Sequence, residues 1–200
     1  MKNKTQIAKL IVATASLTLA LAVQAQGNTS NNYSSMRAPG TGYIGLSVGQ
    51  SDYSLDDGIN VFQSNQGGTS YGIHMGNYFN PNLGVELGYT DFGSVDRAGG
   101  KTKSDGINLS LIGKLPLNPS FNVLGKIGTT YSRTEVTSNP LSGVVAGSTN
   151  GWGLSYGLGV EYAFNPQWST VLQYESQEMK FAGDRKERIG NTSLAVRFTY

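Results

Sequence analysis

The sequence has no cysteine, few charged residues and, after its first 25 residues, no long apolar run. The absence of thiols excludes disulfides and thiolate metal sites. Charged residues make up 14% of the 200 residues, whereas about a quarter is usual in water-soluble proteins. A membrane-spanning helix needs about 20 consecutive apolar residues, and no segment after residue 25 approaches that length. The composition therefore indicates neither an ordinary water-exposed surface nor a helical membrane protein.

The N-terminal segment has the parts of a secretory signal peptide. Lysines precede an apolar core at 10–23, and small residues lead to a boundary at Ala25. This order predicts export with cleavage after Ala25, so that residues 1–25 are a signal peptide. The alternative, a membrane anchor helix, needs a longer core with less alanine and threonine.

Removal of the signal peptide changes the charge balance. Lys2, Lys4 and Lys9 are lost and no acid is lost, so the formal net charge falls from +2 to 2 − 3 = −1. A basic surface for nucleic acid is therefore not predicted. Residues 26–40 are polar, lack periodicity and end in Pro-Gly, so we expect a flexible periplasmic lead-in to a single domain at 41–200.

In this domain, apolar residues recur at every second position in eight segments. In the first segment Ile44, Leu46 and Val48 share one face, and glycine and serine share the other. This period of two predicts β-strands, each of roughly ten residues. The second face carries glycine, serine and isolated charges throughout, which suits a narrow lumen better than a water-exposed surface. Because an open sheet edge in lipid leaves backbone groups unpaired, the sequence predicts an all-β fold, an eight-stranded antiparallel up-and-down transmembrane β-barrel.

The connections between the segments alternate between short and long. Three short ones contain the same Asn-Pro pair, and proline suits a tight turn because it fixes φ and lacks an N–H. Short periplasmic turns and long external loops are typical of barrels in the bacterial outer membrane. The predicted periplasmic turns contain Asn80 and Pro81, Asn118 and Pro119, and Asn165 and Pro166. Long polar connections are expected at 50–69, 92–105, 133–150 and 176–190.

Aromatic residues concentrate towards both ends of the segments, as expected for girdles at the two membrane interfaces. A general preference of aromatic residues for strands does not by itself predict this distribution. The turn-side group comprises Tyr78, Phe79, Phe121, Phe164, Trp168 and Tyr200. The loop-side group comprises Tyr89, Phe92, Tyr131, Trp152 and Tyr174.

Five charged residues fall on the face predicted to point into the lumen. Counting from the turns places all five roughly 8 to 15 Å above the periplasmic rim, so we expect one charge layer. Neighbouring segments then pair Glu86 with Lys114 and Lys126 with Glu161. Two interpretations remain: compensated ions that fill a narrow core, which we favour, and a gate whose pairs exchange partners. The layer comprises Glu86, Lys114, Lys126, Glu161 and Arg197.

Three segments carry a resemblance to a known family. "GNYFNPNLGVELGYTDFG" at 76–93 and "GLGVEYAFNPQW" at 157–168 combine turn, inward glutamate and aromatic positions, and "SLAVRFTY" occupies 193–200. The chain resembles the small outer-membrane barrels of the outer membrane protein A transmembrane-domain and OmpX-like group. This resemblance implies the eight-stranded barrel. The last segment, with Phe198 and Tyr200, looks like the C-terminal signal read by the barrel-assembly machinery.

The same resemblance bears on the charge layer. Glu86, Lys114 and Glu161 match members of the gate-like ion-pair network described for outer membrane protein A. The arginine that partners them there is replaced by Val171 in this sequence. Lys126 and Arg197, the two other cations predicted in the lumen, could then supply the missing positive charge.

The first function hypothesis is an integral outer-membrane barrel that supports envelope integrity and interacts at the cell surface, without catalysis. The expected partners are outer-membrane lipid and lipopolysaccharide, the barrel-assembly machinery and an extracellular ligand of the loops. A monomer is expected, with no cofactor, metal or nucleic acid. The fourth long connection could meet lipopolysaccharide phosphates or be an ordinary solvated loop; its basic residues are Lys180, Arg185, Lys186 and Arg188.

Three alternatives stay open. A narrow channel requires conductance that depends on the charge layer. A lipid-modifying enzyme requires His74, the single histidine of the sequence, with Ser47 or Ser70 as nucleophile, although a lone histidine more often makes a structural hydrogen bond. A soluble periplasmic binding barrel requires release from cells without detergent.

Overall fold

The computed structural model describes residues 41–53, 67–97, 100–137, 146–181 and 185–200. They form eight strands, each antiparallel to the next, and the eighth pairs with the first to close a barrel, which confirms the predicted fold class. Within these ranges no helix is long and apolar enough to cross a membrane. The predicted signal peptide and lead-in, 1–40, lie outside the described residues. The strands are β1 Thr41–Tyr53, β2 Gly67–Tyr78, β3 Leu83–Arg97, β4 Gly100–Pro116, β5 Phe121–Val136, β6 Gly147–Ala163, β7 Trp168–Phe181 and β8 Arg185–Thr199.

The strands are inclined because their pairing is staggered. Paired residues can be followed once round the barrel from Gly42 of β1, and the path returns to β1 at Asp52, a stagger of 52 − 42 = 10 residues. For eight strands this stagger corresponds to a tilt of about 40°. The interior of such a barrel is only wide enough to be filled by side chains.

The alternation in the sequence separates the two faces of the barrel wall. Large apolar side chains cover the outside, where Leu46 is 65% and Leu158 is 69% exposed. The inside carries glycine, small hydroxyl groups and buried charged groups. An apolar surface that extends all round a closed barrel needs apolar surroundings, because water would leave it unburied. The distribution of side chains is therefore that of a transmembrane barrel.

Two residues of the predicted aromatic girdles lie inside the barrel, so the prediction was wrong for them. Tyr78 is 1% and Phe92 is 0% exposed. Each lies two positions from another inward residue, Gly76 or Thr90, so the alternation itself assigns it to the lumen. The other girdle residues are partly or largely exposed: Phe79, Phe121, Phe164, Trp168 and Tyr200 on the turn side, and Tyr89, Tyr131, Trp152 and Tyr174 on the loop side.

The strands are longer than predicted, at 12 to 17 residues. Two of the predicted long connections, 92–105 and 176–190, are therefore largely strand. A β-bulge shifts the register between Asp91 and Ser94, and Gly93 adopts a φ of 73° there. The bulge interrupts the alternation, and polar residues follow it, so the sequence signal stops before the strands do.

The three Asn-Pro turns share one hydrogen-bond arrangement. In each turn the asparagine Oδ1 accepts from the backbone N–H groups two and three residues later, at 2.8 to 2.9 Å. The proline supplies a fixed φ and needs no acceptor, because it has no N–H. The turn thus satisfies its own backbone donors, which explains why the same pair recurs. The pairs are Asn80 and Pro81, Asn118 and Pro119, and Asn165 and Pro166.

Candidate functional site

Apolar side chains fill the lumen near both ends of the barrel. Both groups are at most 4% exposed, so the side chains pack across the barrel at both levels. The turn-side plug comprises Tyr43, Tyr78, Ile112, Leu124, Val171 and Ala195. The loop-side plug comprises Tyr53, Phe92, Val95, Val136, Met179, Phe181 and Ile189.

Part of a network of ion pairs lies between the two plugs. Along β5, Lys126 stands between Leu124 of the turn-side plug and Val136 of the loop-side plug. Along β7, Glu175 stands between plug residues 171 and 179 in the same way. Lys126 and Glu175 therefore have apolar packing towards each end of the barrel.

Glu86 is the centre of this network. Its carboxylate accepts a hydrogen bond from the Tyr43 hydroxyl at 2.5 Å, from Lys126 Nζ at 2.6 Å and from Arg197 Nη2 at 2.9 Å. The carboxylate is 2% exposed, so protein groups replace its water shell almost completely. A buried carboxylate requires this number of partners, because an unpaired ion in a low-dielectric interior is very costly.

A second carboxylate, Glu175, balances the charge of the network. Lys126 Nζ donates to Glu175 Oε1 at 2.8 Å and to Gln173 Oε1 at 2.9 Å. Glu86 and Glu175 therefore compensate Lys126 and Arg197. The predicted charge layer omitted Glu175 and left three cations against two acids. Since buried charges occur compensated, that imbalance was the sequence signal for another inward acid.

The predicted pairings within the layer were wrong. Glu86 pairs with Lys126 and Arg197, where Lys114 was predicted. Lys126 pairs with Glu86 and Glu175, where Glu161 was predicted. The reason is the stagger of the strands: Glu86 lies opposite Ser110, four positions along β4 from Lys114. Two residues that are the same number of positions from their turns therefore do not lie at the same height in the lumen.

Lys114 and Glu161 lie closer to the turns than the Glu86 network does. Lys114 stands over the Tyr78 ring, 4.7 Å from its centroid. The Glu161 carboxylate accepts from Asn122 Nδ2 at 2.9 Å and from Ser169 Oγ at 2.8 Å. The predicted single layer is thus divided into two levels. Lys114 and Glu161 lie at the level nearer the turns, and the Arg197 side chain reaches Glu86 at the level farther from the turns.

Space between the side chains of the lumen is small. A gap of about 160 Å³ adjoins Lys126 and Glu175, but it is divided into spaces too narrow for a water molecule. Its walls are polar, and Asn108 donates to Ser155 Oγ at 2.6 Å across it. Polar side chains therefore line and pack this level of the lumen.

His74 makes the contact that an activated serine would need. His74 Nε2 lies 2.9 Å from Ser47 Oγ, and its Nδ1 lies 3.7 Å from Glu86 Oε1. Ser70, the other predicted candidate, instead donates to Asn191 Oδ1 at 2.6 Å. A Cβ at Gly72 would lie 2.6 Å from Ser47 Oγ and 2.9 Å from His74 Nε2. The space beside the Ser47–His74 pair at Gly72 is therefore too small for a methyl group.

No metal centre is formed by the described strands and turns, where no group of three or more His, Cys, Asp or Glu side chains is placed to hold an ion. Charged side chains of the lumen bind one another instead. The arrangement is that of a packed core made of compensated ions, with clusters of buried apolar side chains towards both ends.

Comparison with known proteins places this geometry in context. The family model described as Outer membrane protein beta-barrel domain matches residues 11–200. Outer membrane protein A of Escherichia coli O157:H7 is 30% identical over 146 residues, which cover 68% of this chain and 40% of that protein. The chain thus spans less than half the length of this relative.

Two solved structures are similar in fold. Neisserial surface protein A matches with a TM-score of 0.63 and 18% identity, over 80% of this chain and 99% of that one. Ail, the attachment invasion locus protein of Yersinia pestis, matches with a TM-score of 0.55 and 15% identity, over 81% of this chain and 99% of that one. Both similarities concern the whole barrel.

Proposed function

Because the chain belongs to the outer membrane protein β-barrel domain family, we propose that it is an integral outer-membrane barrel with a structural role in the envelope and an interacting outer surface. Its lumen serves as the core that stabilises the barrel. The observation that carries this proposal is the charge-neutral network of Glu86, Glu175, Lys126 and Arg197, which is buried in the lumen together with clusters of apolar side chains towards both ends. A lumen built in this way stabilises a wall and offers no route for solutes.

A narrow gated channel is the main alternative. To open, Glu86 would have to release Lys126 and Arg197 together, and both apolar plugs would have to move. Val171, at the position where the resembling network has an arginine, is 0% exposed within the turn-side plug. An open arrangement, in which the ion pairs exchange partners, would therefore lack the arginine that the resembling network has at this position. Conductance measurements separate the two functions.

Catalysis is disfavoured by the surroundings of His74. The Ser47 hydroxyl points into the packed lumen, whereas lipid substrates lie outside the wall. In the proposed role, His74 satisfies the Ser47 hydroxyl and leans towards Glu86. Substitution His74→Ala is expected to leave the lipid A composition of cells unchanged, as measured by mass spectrometry of extracted lipid. A loss of one lipid A species, with the variant folded, would support an enzyme.

The last residues are proposed to act during assembly by the barrel-assembly machinery. Tyr200 N donates to Gly42 O at 3.0 Å where the chain end meets β1, and the Tyr200 side chain is 76% exposed. Phe198 packs against Trp168 with ring centroids 5.0 Å apart. An exposed aromatic at the closing seam is accessible to an assembly factor.

A test compares assembly in cells with folding in detergent. Tyr200→Ala is expected to lower the amount of folded protein in the outer membrane and to leave unassisted refolding of the purified chain unchanged. Equal losses in both settings would assign Tyr200 to the stability of the barrel and not to recognition.

The structural role is tested by removing the protein from its host. The expected result is increased sensitivity of the cells to detergent, restored by the wild-type chain and by folded His74→Ala. An unchanged sensitivity would contradict the envelope role. The barrel is expected to be a monomer. Its loops are expected to interact at the cell surface, also with a protein or glycan ligand. The similarity in fold to Ail, an attachment invasion locus protein, supports a surface role.

A further inference from the structure

Among the described residues, exposed basic side chains form two groups on the outside of the barrel, towards its loop-side end. The first group lies on β4 and β5, where every basic residue has an acid opposite it in the strand register. Opposite charges placed in this way stabilise a sheet and leave no net charge. The pairs are Lys101 with Asp96, Lys103 with Glu135 and Arg133 with Asp105.

The second group lies on β7 and β8 and is not balanced. Lys180 lies directly opposite Lys186, and Glu178 lies opposite Arg188. Lys186 Nζ donates to Glu178 Oε1 at 2.8 Å, so within the described parts of β7 and β8 one outward carboxylate faces three cations. Glu187, the next acid along β8, pairs with buried Met179 and so belongs to the other face. Like charges directly opposite each other destabilise a sheet.

Packing holds two of these three cations in place. The Arg188 guanidinium lies 4.6 Å from the centroid of the Tyr156 ring, and its Nε donates to Ser176 Oγ at 2.9 Å. Lys180 crosses over Gly151, where a Cβ would lie 2.7 Å from Lys180 Cδ. Within the described strands, neither Lys180 nor Arg188 has a carboxylate at ion-pair distance. Ring packing, a serine hydroxyl and the close approach to Gly151 therefore position these two charges, and no ion pair of the described strands does.

The location of the group indicates the ligand. Exposed aromatic residues of the same side, Trp152 at 62% and Tyr174 at 51%, lie on β6 and β7 beside the cations and mark the lipid interface. Cations beside such a girdle meet the headgroups of the outer leaflet. Arginine and lysine bind phosphate oxygens through charge-assisted hydrogen bonds, and acyl chains would pack on the apolar wall below.

We propose that Lys180, Lys186 and Arg188 form a binding site for a phosphate group of an outer-leaflet glycolipid, which in this membrane is lipopolysaccharide. An anionic phosphate between Lys180 and Lys186 removes the repulsion between them. The proposal rests on the outer-membrane residence stated above. Arg185 is adjacent in sequence, but its side chain lies outside the described part of the chain.

The test uses the chain purified from membranes in detergent and measures binding of lipid A by native mass spectrometry. Phosphorylated lipid A is compared with the same lipid after removal of its phosphates. The site variant carries Lys180→Gln, Lys186→Gln and Arg188→Gln. The matched control carries Lys101→Gln, Lys103→Gln and Arg133→Gln, which removes the same charge from a balanced part of the rim.

The wild-type chain and the control are expected to prefer the phosphorylated lipid, and the site variant is expected to lose about tenfold or more of its affinity, because charge-assisted hydrogen bonds are lost. Equal losses in site variant and control would overturn the proposal and indicate general attraction to positive charge. Equal affinity of the wild-type chain for both lipids would also overturn it. Heat-dependent migration on gels verifies that each variant is folded.

Failure here is distinguishable from failure of the proposed function. A conducting wild-type chain would contradict the closed lumen and leave this site untouched, because the site lies on the outer surface. If the wild-type chain does not prefer the phosphorylated lipid and its lumen does not conduct, only the proposed lipid site is contradicted.

Discussion

The substitution Glu86→Gln removes the carboxylate that two buried cations share. Arg197 is 1% exposed, and its hydrogen bond to Glu86 is the one that its guanidinium makes within the described strands. Its Nε and Nη1 atoms have no hydrogen-bond partner there. Lys126 keeps Glu175 in the variant, whereas Arg197 is left as an uncompensated buried charge. Breaking a buried pair in this way costs about 3–5 kcal/mol of stability.

Glu175→Gln is the matched control. It makes the same chemical change and leaves the same net charge in the network, but Lys126 retains Glu86 at 2.6 Å. The side chain of Glu175 is also 10% exposed, against 2% for Glu86. We therefore expect a smaller cost, of roughly 1.5–3 kcal/mol, the value of one hydrogen bond to a charged group.

The assay is equilibrium unfolding by denaturant in lipid vesicles, followed through the fluorescence of Trp152 and Trp168. A double variant, Glu86→Gln with Arg197→Met, restores charge balance and is expected to recover at least half of the lost stability, because an apolar side chain often replaces a buried ion without loss. Equal costs for the two single variants, or no recovery in the double variant, would refute the charge-balance reasoning.

Three further predictions concern the wall and the turns. Asn118→Ala removes the acceptor of two turn N–H groups and is expected to cost about 1–2 kcal/mol in the same assay; a cost near zero would contradict the role of the carboxamide. Gly153→Ala would bring a Cβ within 1.8 Å of a β7 carbonyl oxygen, whereas a Cβ at Gly125 meets nothing within 4 Å, so only the first is expected to lower the folded fraction on gels; equal effects would contradict the close approach of β6 and β7. Phe198→Ala removes ring packing on Trp168 and is expected to slow folding into vesicles, and an unchanged rate would exclude that contact from the folding step.

The barrel could be predicted because its solvent imposes one rule on every strand. Lipid requires apolar groups outside and a closed backbone ladder, so the period of two recurs until the wall leaves the membrane. Beyond that level the outward residues are polar and the rule no longer applies. The prediction therefore ended the third strand near residue 91, whereas β3 continues to Arg97.

Faces were more predictable than partners. The inward position of Glu86 follows from alternation alone, but its partners depend on the stagger of all eight strands. The stagger is set by the whole ring of pairings and not by a local signal. Tyr78 and Phe92 show the converse case, because the alternation assigned them to the lumen and distance from the turns was used instead.

The central claim is that the folded lumen is closed by its two plugs and its neutral ion network. Single-channel conductance of the wild-type chain in a planar bilayer tests this most directly, with insertion verified independently. We predict a flat trace without discrete steps. Discrete steps that disappear or change size in Lys126→Gln would contradict the claim and assign the network to a channel.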